Sequence, residues 1–282
     1  VQIGGSKLLL IDTPGFDDSQ RTDAEILTEI AQILSAQYQL GLELKGVIYI
    51  HRITDIRYSR SSVKTFEIFK NICGERALKN VLLITSRWNE VSESVGEERE
   101  RDLRDRFWAY MLGRGSHMSR FHGDHDSAVS LVSQLLIKET VVLELQEELV
   151  SQSKKLGETA AGLYVNGNME ELKRHCEEEL ISLERLKREL QEGDRSRKQK
   201  IQRDWEKEKV HLQKVREQKN SLRREVAAEV QQQITSKKST WSCVLPFIPT
   251  VISILGMFVG IPPGVTDIFS SWMGASGGGA GS

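Results

Sequence analysis

Cysteine is scarce: 282 residues hold three, Cys73, Cys176 and Cys243, far apart in the chain and in no Cys-x-x-Cys pair. That argues against a disulfide-built secreted domain and for a reduced, cytosolic setting. A dominant charge is also lacking. Lys and Arg number 39 against 40 Asp and Glu, a formal net charge of -1, so no overall pull toward nucleic acid is expected. No secretory signal precedes the first apolar run. No Ser/His/Asp or Cys/His arrangement of the kind nucleophilic catalysis needs stands out, and no catalytic residue is assigned. The histidines of His122-Gly-Asp-His125-Asp126 have no helical or Cys-containing framework around them and read as part of a polar loop rather than a metal site. At this length the chain can bury one or two full cores.

What is present starts at Leu8 to Asp18, LLLIDTPGFDD. Four apolar residues and then Asp-Thr-Pro-Gly predict a buried strand that stops abruptly at a turn. The strand brings the Asp12 carboxylate to the carboxyl edge of a sheet. Thr13 and Pro14 make the turn, and Gly15 lets the backbone approach a ligand closely. In nucleoside triphosphatases such an Asp holds Mg²⁺ through water and the Gly N–H meets the γ-phosphate. The alternative is a plain strand-turn with an acidic tip.

Further along, apolar runs alternate with amphipathic stretches. Strands are predicted at Gly46–Ile50 and Asn80–Ile84, with a short one around Met118–Phe121. Helical spacing runs over Asp23–Tyr38 (Ile26, Leu27, Ile30, Ile33, Leu34) and Ser61–Cys73 (Val63, Phe66, Ile68, Phe69), with Gly74 as C-cap. It recurs over Glu97–Leu112, with Leu103, Phe107, Tyr110 and Met111 facing inward, and a last helix starts near Asp126. This alternation predicts an α/β fold, a parallel sheet covered on both faces. The third strand ends in Thr85-Ser-Arg-Trp-Asn89, on the same sheet edge as Asp12, where open α/β sheets bind ligands.

LLLIDTPGFDD, GVIYIHRITDIR, NVLLITSRWNEV, the Phe-Trp within Asp105–Met111 and Ser127-Ala128 stand in an order and spacing that resemble the fungal branch of the AIG-type GTPases. These are relatives of the immunity-associated nucleotide-binding proteins and the chloroplast-import GTPases. The resemblance covers about half of the chain, residues 1–140. It implies a P-loop NTPase G-domain with GTP/GDP as ligand and Mg²⁺ near Asp12. It also implies base contacts at Thr85, Arg87, Trp88 and Asn89, where the family has an N/T-K-x-D motif. His51-Arg52 matches a family-specific box without an assigned role.

Departures from the family pattern bear on the chemistry. Asn89 replaces the Asp that accepts from the two guanine N–H groups, and its NH₂ would face a donor. An unpaired buried donor costs about 1–3 kcal/mol, so guanine selectivity is expected to suffer. Phe16 stands where Ras-like proteins carry a water-positioning Gln, so intrinsic hydrolysis is expected to be slow or partner-assisted. The phosphate-cradling GxxxxGK[ST] is missing. Gly4-Gly-Ser-Lys7 lacks its spacing and reads as a turn. By resemblance, the P-loop strand would lie between the strands at 8–11 and 46–50. Its absence, together with a first residue that is Val rather than Met, predicts an N-terminally truncated, incomplete G-domain with two unpaired strand edges.

Residues 138–238 change character. Charges dominate, and Ile201, Trp205, Glu208, Leu212, Val215, Lys219, Leu222 and Val226 follow a four-three spacing, a heptad seam with polar interruptions. Leu172, Cys176, Leu180, Leu183, Leu186 and Leu190 form an apolar face on an earlier helix. Both coiled-coil self-association and a helical hairpin folded back on the first domain fit. After Lys238 comes an apolar stretch. Cys243 to Ile261 is close to the roughly 20 residues needed to cross a bilayer, flanked by Trp241 and Trp272 and preceded by basic residues. The expected organisation is a partial G-domain over 1–137, a helical or coiled-coil arm over 138–238, an apolar membrane-contacting segment over 239–272 and a disordered tail over 273–282. The expected function is a guanine-nucleotide-binding switch or oligomerising scaffold, cytosolic and tail-anchored. The alternative is a pseudo-GTPase scaffold that binds no nucleotide and acts through the arm.

Overall fold

The computed structural model of the chain describes residues 2–3, 5–16, 21–189, 195–236 and 250–256. Among these residues six strands form one sheet: β1 (Gln2–Ile3), β2 (Ser6–Asp12), β3 (Glu43–Arg52), β4 (Val81–Ser86), β5 (His117–Arg120) and β6 (Thr250–Gly256). Their order across the sheet is β1-β2-β6-β3-β4-β5. The β1–β2 pair is antiparallel, a hairpin whose turn needs Gly5 at φ 84°. Every other pairing is parallel.

The strands read as continuous apolar runs because both faces of the sheet are covered. Val47, Tyr49, Val81 and Leu83 point into one core. Their neighbours Ile48, Ile50, Leu82 and Ile84 point into a second, with Leu8 and Leu10 of β2. The second core is closed by α5 (His125–Leu136) through Ala128, Leu131, Val132 and Leu135. The first is closed chiefly by α1 (Asp23–Gln39) and α2 (Arg60–Cys73). α1 starts at a capping box in which Thr22 and Glu25 satisfy each other's backbone N–H. α2 ends at Gly74, φ 71°, as its sequence predicts.

The stretch predicted as one helix over Glu97–Leu112 is broken. α3 (Glu93–Asp102) runs into a π-turn over Leu103–Phe107, and α4 (Ala109–Gly113) follows. The Trp108 N–H donates to Leu103 O at 2.7 Å, an i→i+5 bond. The extra residue rotates the register, so Trp108 is fully buried while Tyr110, expected inside, is 44% exposed. Leu103 and Met111 are buried as expected. On α2, Val63 lies outside the core.

Past residue 138 the chain returns to the first core. α6 (Glu144–Gln146) and the turns around it bury Leu143, Leu145, Leu149 and Leu156. α7 (Ala160–Glu189) begins against α1 and α2 through Ala161, Val165 and Met169. It then pairs with α8 (Arg195–Ser221), and α9 (Val226–Ser236) packs on α1. Leu212, Val215, Leu222 and Val226 of the heptad seam are buried within this arrangement. The seam is used within the chain, as the hairpin alternative requires.

The apolar segment departs furthest from expectation. Among the described residues no helix is long and apolar enough to cross a membrane. The middle of the predicted span, Thr250–Gly256, is a central strand. It pairs with β2 over Leu8–Asp12 and with β3 over Glu43–Ile50, with a bulge between Leu44 and Gly46. The gap expected from a missing P-loop strand is therefore filled, from the far end of the chain. The remainder of the predicted span, and the predicted tail over 273–282, lie outside the described residues.

Candidate functional site: the carboxyl edge of the sheet

Because β2, β6, β3, β4 and β5 are parallel, their carboxyl ends share one edge. It carries Asp12, Gly256, Arg52, Ser86 and Arg120. Asp12 closes β2 with an exposed side chain, while Thr13, Gly15 and Phe16 behind it are buried and Pro14 is half-buried. Partial desolvation raises the Asp12 carboxyl above its usual value, opposed by a hydrogen bond from the Thr13 backbone N–H. A carboxylate held this way is stabilised by an approaching cation. Phe16 is part of the first core.

Thr85 near the end of β4 and Arg87, Trp88 and Asn89 just after it lie three strand spacings or about 14 Å from β2. The structure commits most of them to internal contacts. Thr85 is fully buried, and its Oγ1 accepts from the Trp88 indole N–H at 3.0 Å. Arg87 takes a left-handed φ of 64° and pairs with Glu90 at 3.2 Å. Only Asn89 is exposed. Trp88 is clamped. Gly96 of α3 lies so close that a Cβ there would sit 2.6 Å from the indole, and the Arg120 guanidinium stacks on the ring at 4.0 Å.

Several residues that sequence reasoning left out build this edge. Arg120 donates to both Glu100 carboxylate oxygens, at 2.9 and 2.6 Å, which fixes it over Trp88. Arg99 of α3 donates to Ile53 O and Thr54 O, both at 2.9 Å. Asp55 pairs with Arg52 at 3.1 Å. Burial raises its carboxyl, with Arg52, Arg87 and Arg99 opposing. Arg and Glu on a charged helix carry no distinguishing signal in one sequence. Only their meeting at the ends of β3 and β5 does.

His51 is buried and sits 5.3 Å from the Tyr58 ring and 6.1 Å from Trp108. Burial, and Arg52 beside it, push its pKa down to about 4, so it is neutral near pH 7. The His122–Asp126 stretch is a capping loop: the Asp124 side chain accepts from Ser127 N at 2.8 Å and starts α5.

Set against protein-family models and curated proteins, the chain matches neither a family model nor a curated protein.

Proposed function

We propose that this chain is a guanine-nucleotide-binding protein of the AIG-like type, working as a switch or oligomerising scaffold. One observation carries the reading: a five-strand parallel array presents Asp12 and the Thr85–Asn89 turn on a single edge, the place where open α/β sheets take ligands. In this reading Asp12 serves Mg²⁺ through water, Gly15 meets the γ-phosphate, and the turn after β4 meets the base. Phe16 leaves hydrolysis slow or dependent on a partner. Self-association and membrane contact through Cys243–Ile261 belong to the same proposal. β6 in the sheet competes with the second of these.

A second reading is favoured by specific observations. β6 takes the central slot but is followed by Gly256-Met-Phe-Val-Gly260-Ile-Pro-Pro, with no phosphate-binding lysine. Thr85 and Arg87 are spent on Trp88 and Glu90. These features suit a scaffold that keeps the sheet and binds no nucleotide.

Titrating the full chain with a fluorescent GTP analogue, with and without Mg²⁺, separates the two. Mg²⁺-dependent binding that is lost in Asp12→Asn supports the first. Asp12→Asn keeps the Thr13 hydrogen bond, so folding is expected to persist. Absence of binding at any Mg²⁺ concentration sinks the first and leaves the scaffold. If binding occurs, Asn89→Asp is expected to raise preference for GTP over XTP by roughly tenfold or more.

A further inference from the structure

The seam between α7 and α8 holds a group of side chains that the nucleotide reading does not use. Cys176 of α7 is fully buried there. Its Sγ lies 3.7 Å from His211 Nδ1 on α8, and the same nitrogen lies 3.5 Å from Glu208 Oε1. The three donor atoms fall within 4.8 Å of one another. Glu208 and His211 are three apart and share one face of α8, so two ligands come from one helix and the third from its antiparallel neighbour.

We infer that Cys176, Glu208 and His211 form a zinc site that staples the α7–α8 hairpin. Tetrahedral zinc, with Zn–S about 2.3 Å, Zn–N about 2.0 Å and Zn–O about 2.1 Å, has S···N and N···O edges of about 3.5 and 3.4 Å. The observed S···N and N···O separations of 3.7 and 3.5 Å lie close to those two edges. Thiolate, imidazole and carboxylate together select Zn²⁺ over the oxygen-seeking Mg²⁺ and Ca²⁺. With three protein ligands and an exposed imidazole, the fourth position is left to water.

The chemistry around the site agrees. Glu208 interrupts the heptad seam, where an apolar residue would pack better, and it stands against a buried thiol. The Cys176 thiol stands between an imidazole and a carboxylate. Zn²⁺ binding forms a Zn–S bond, releases the thiol proton to solvent and neutralises the carboxylate. Glu177 is not a fourth ligand: Arg216 holds it at 3.3 Å and Lys173 at 3.9 Å.

The test is a Co²⁺ titration of the chelator-treated full chain, followed by Zn²⁺. A thiolate-to-cobalt absorption band in the near ultraviolet, saturating at one equivalent, is expected, with tetrahedral d–d bands in the visible and loss of colour on adding Zn²⁺. His211→Ala leaves every cysteine in place and changes only an exposed side chain. It is expected to weaken Co²⁺ binding by roughly tenfold or more, and Glu208→Gln to do the same while keeping its packing. Cys176→Ser is expected to abolish the near-ultraviolet band. A wild-type chain with no such band overturns the proposal. So does a band whose affinity is unchanged in both His211→Ala and Glu208→Gln, since the thiolate would then belong to another cysteine. Neither result bears on nucleotide binding.

Discussion

At the scale of single residues, His51 gives a prediction with a definite sign. Folded, its pKa is pushed down to about 4 from an ordinary value of 6.5. The unfolded chain therefore binds a proton that the folded chain refuses between those values. The stabilisation from a neutral His51 is complete above pH 6.5 and is lost as the pH falls toward 4. The full difference corresponds to about 3 kcal/mol. His51→Phe, which keeps a ring among Tyr58 and Trp108, should flatten this limb when urea unfolding is followed from pH 7 to 4. An acid limb as steep as wild type would mean that other groups set it. His51 shows what one sequence can and cannot carry. Its place at a strand exit is legible from the apolar run before it. Its neutrality is not, because that depends on Tyr58, just before α2, and Trp108, just after the π-turn, which close over it. Asp12 was legible for the opposite reason, since a carboxylate that ends a strand is placed by the strand alone. Thr85 and Arg87 were legible as positions, but their partners Trp88 and Glu90 emerge only from the turn's geometry.

At the scale of elements, continuous apolar runs located β2, β3 and β4, whose sheet is covered on both faces, and period-3.6 patterns located α1 and α2, which bury one defined face each. The α3–α4 stretch misled because a π-turn inserts one residue into the helical count, and no residue type announces it. β3 carries a tighter constraint at Gly46. A Cβ there would run into the Asn80 backbone carbonyl and come within 2.8 Å of Leu135 Cδ2. Asn80 has little room to yield, since its side-chain amide donates to Lys45 O at 2.8 Å and Glu139 O at 2.7 Å. Gly46→Ala should therefore cost about 2–3 kcal/mol, at the upper end for overpacking, read as a lowered urea midpoint at unchanged slope. A loss below 0.5 kcal/mol, the range typical of surface substitutions, would mean that β3 and the turn before β4 sit further apart than described.

At the scale of the whole molecule, the slot between β2 and β3 was legible and its occupant was not. A continuous apolar run suits a bilayer and a strand buried on both faces equally well, and length pointed to the bilayer. What decides the fold is a pairing between residues as far apart in sequence as Asp12 and Ile254, or Ile48 and Ile254, which no local pattern can express. As the strand between β2 and β3, β6 supplies the pairing that each of them lacks on one side. Ile254 sits where a backbone N–H is needed between two neighbours, so Ile254→Pro should cost about 3 kcal/mol or more. A chain ending at Lys238 should lose its cooperative thermal transition and aggregate through the two open edges. Spinning the 282-residue chain with anionic vesicles decides between the two uses of this segment, because the same residues cannot pair in the sheet and cross a bilayer. If the shortened chain melts at the wild-type temperature and the full chain floats with vesicles, β6 is a membrane segment after all, and β2 and β3 must be closed by another strand. If the shortened chain collapses and the full chain does not float, the far end of the sequence is part of the sheet. Any nucleotide bound at the Asp12 edge would then sit beside Gly256, and its affinity should fall together with the sheet's stability in Ile254→Pro.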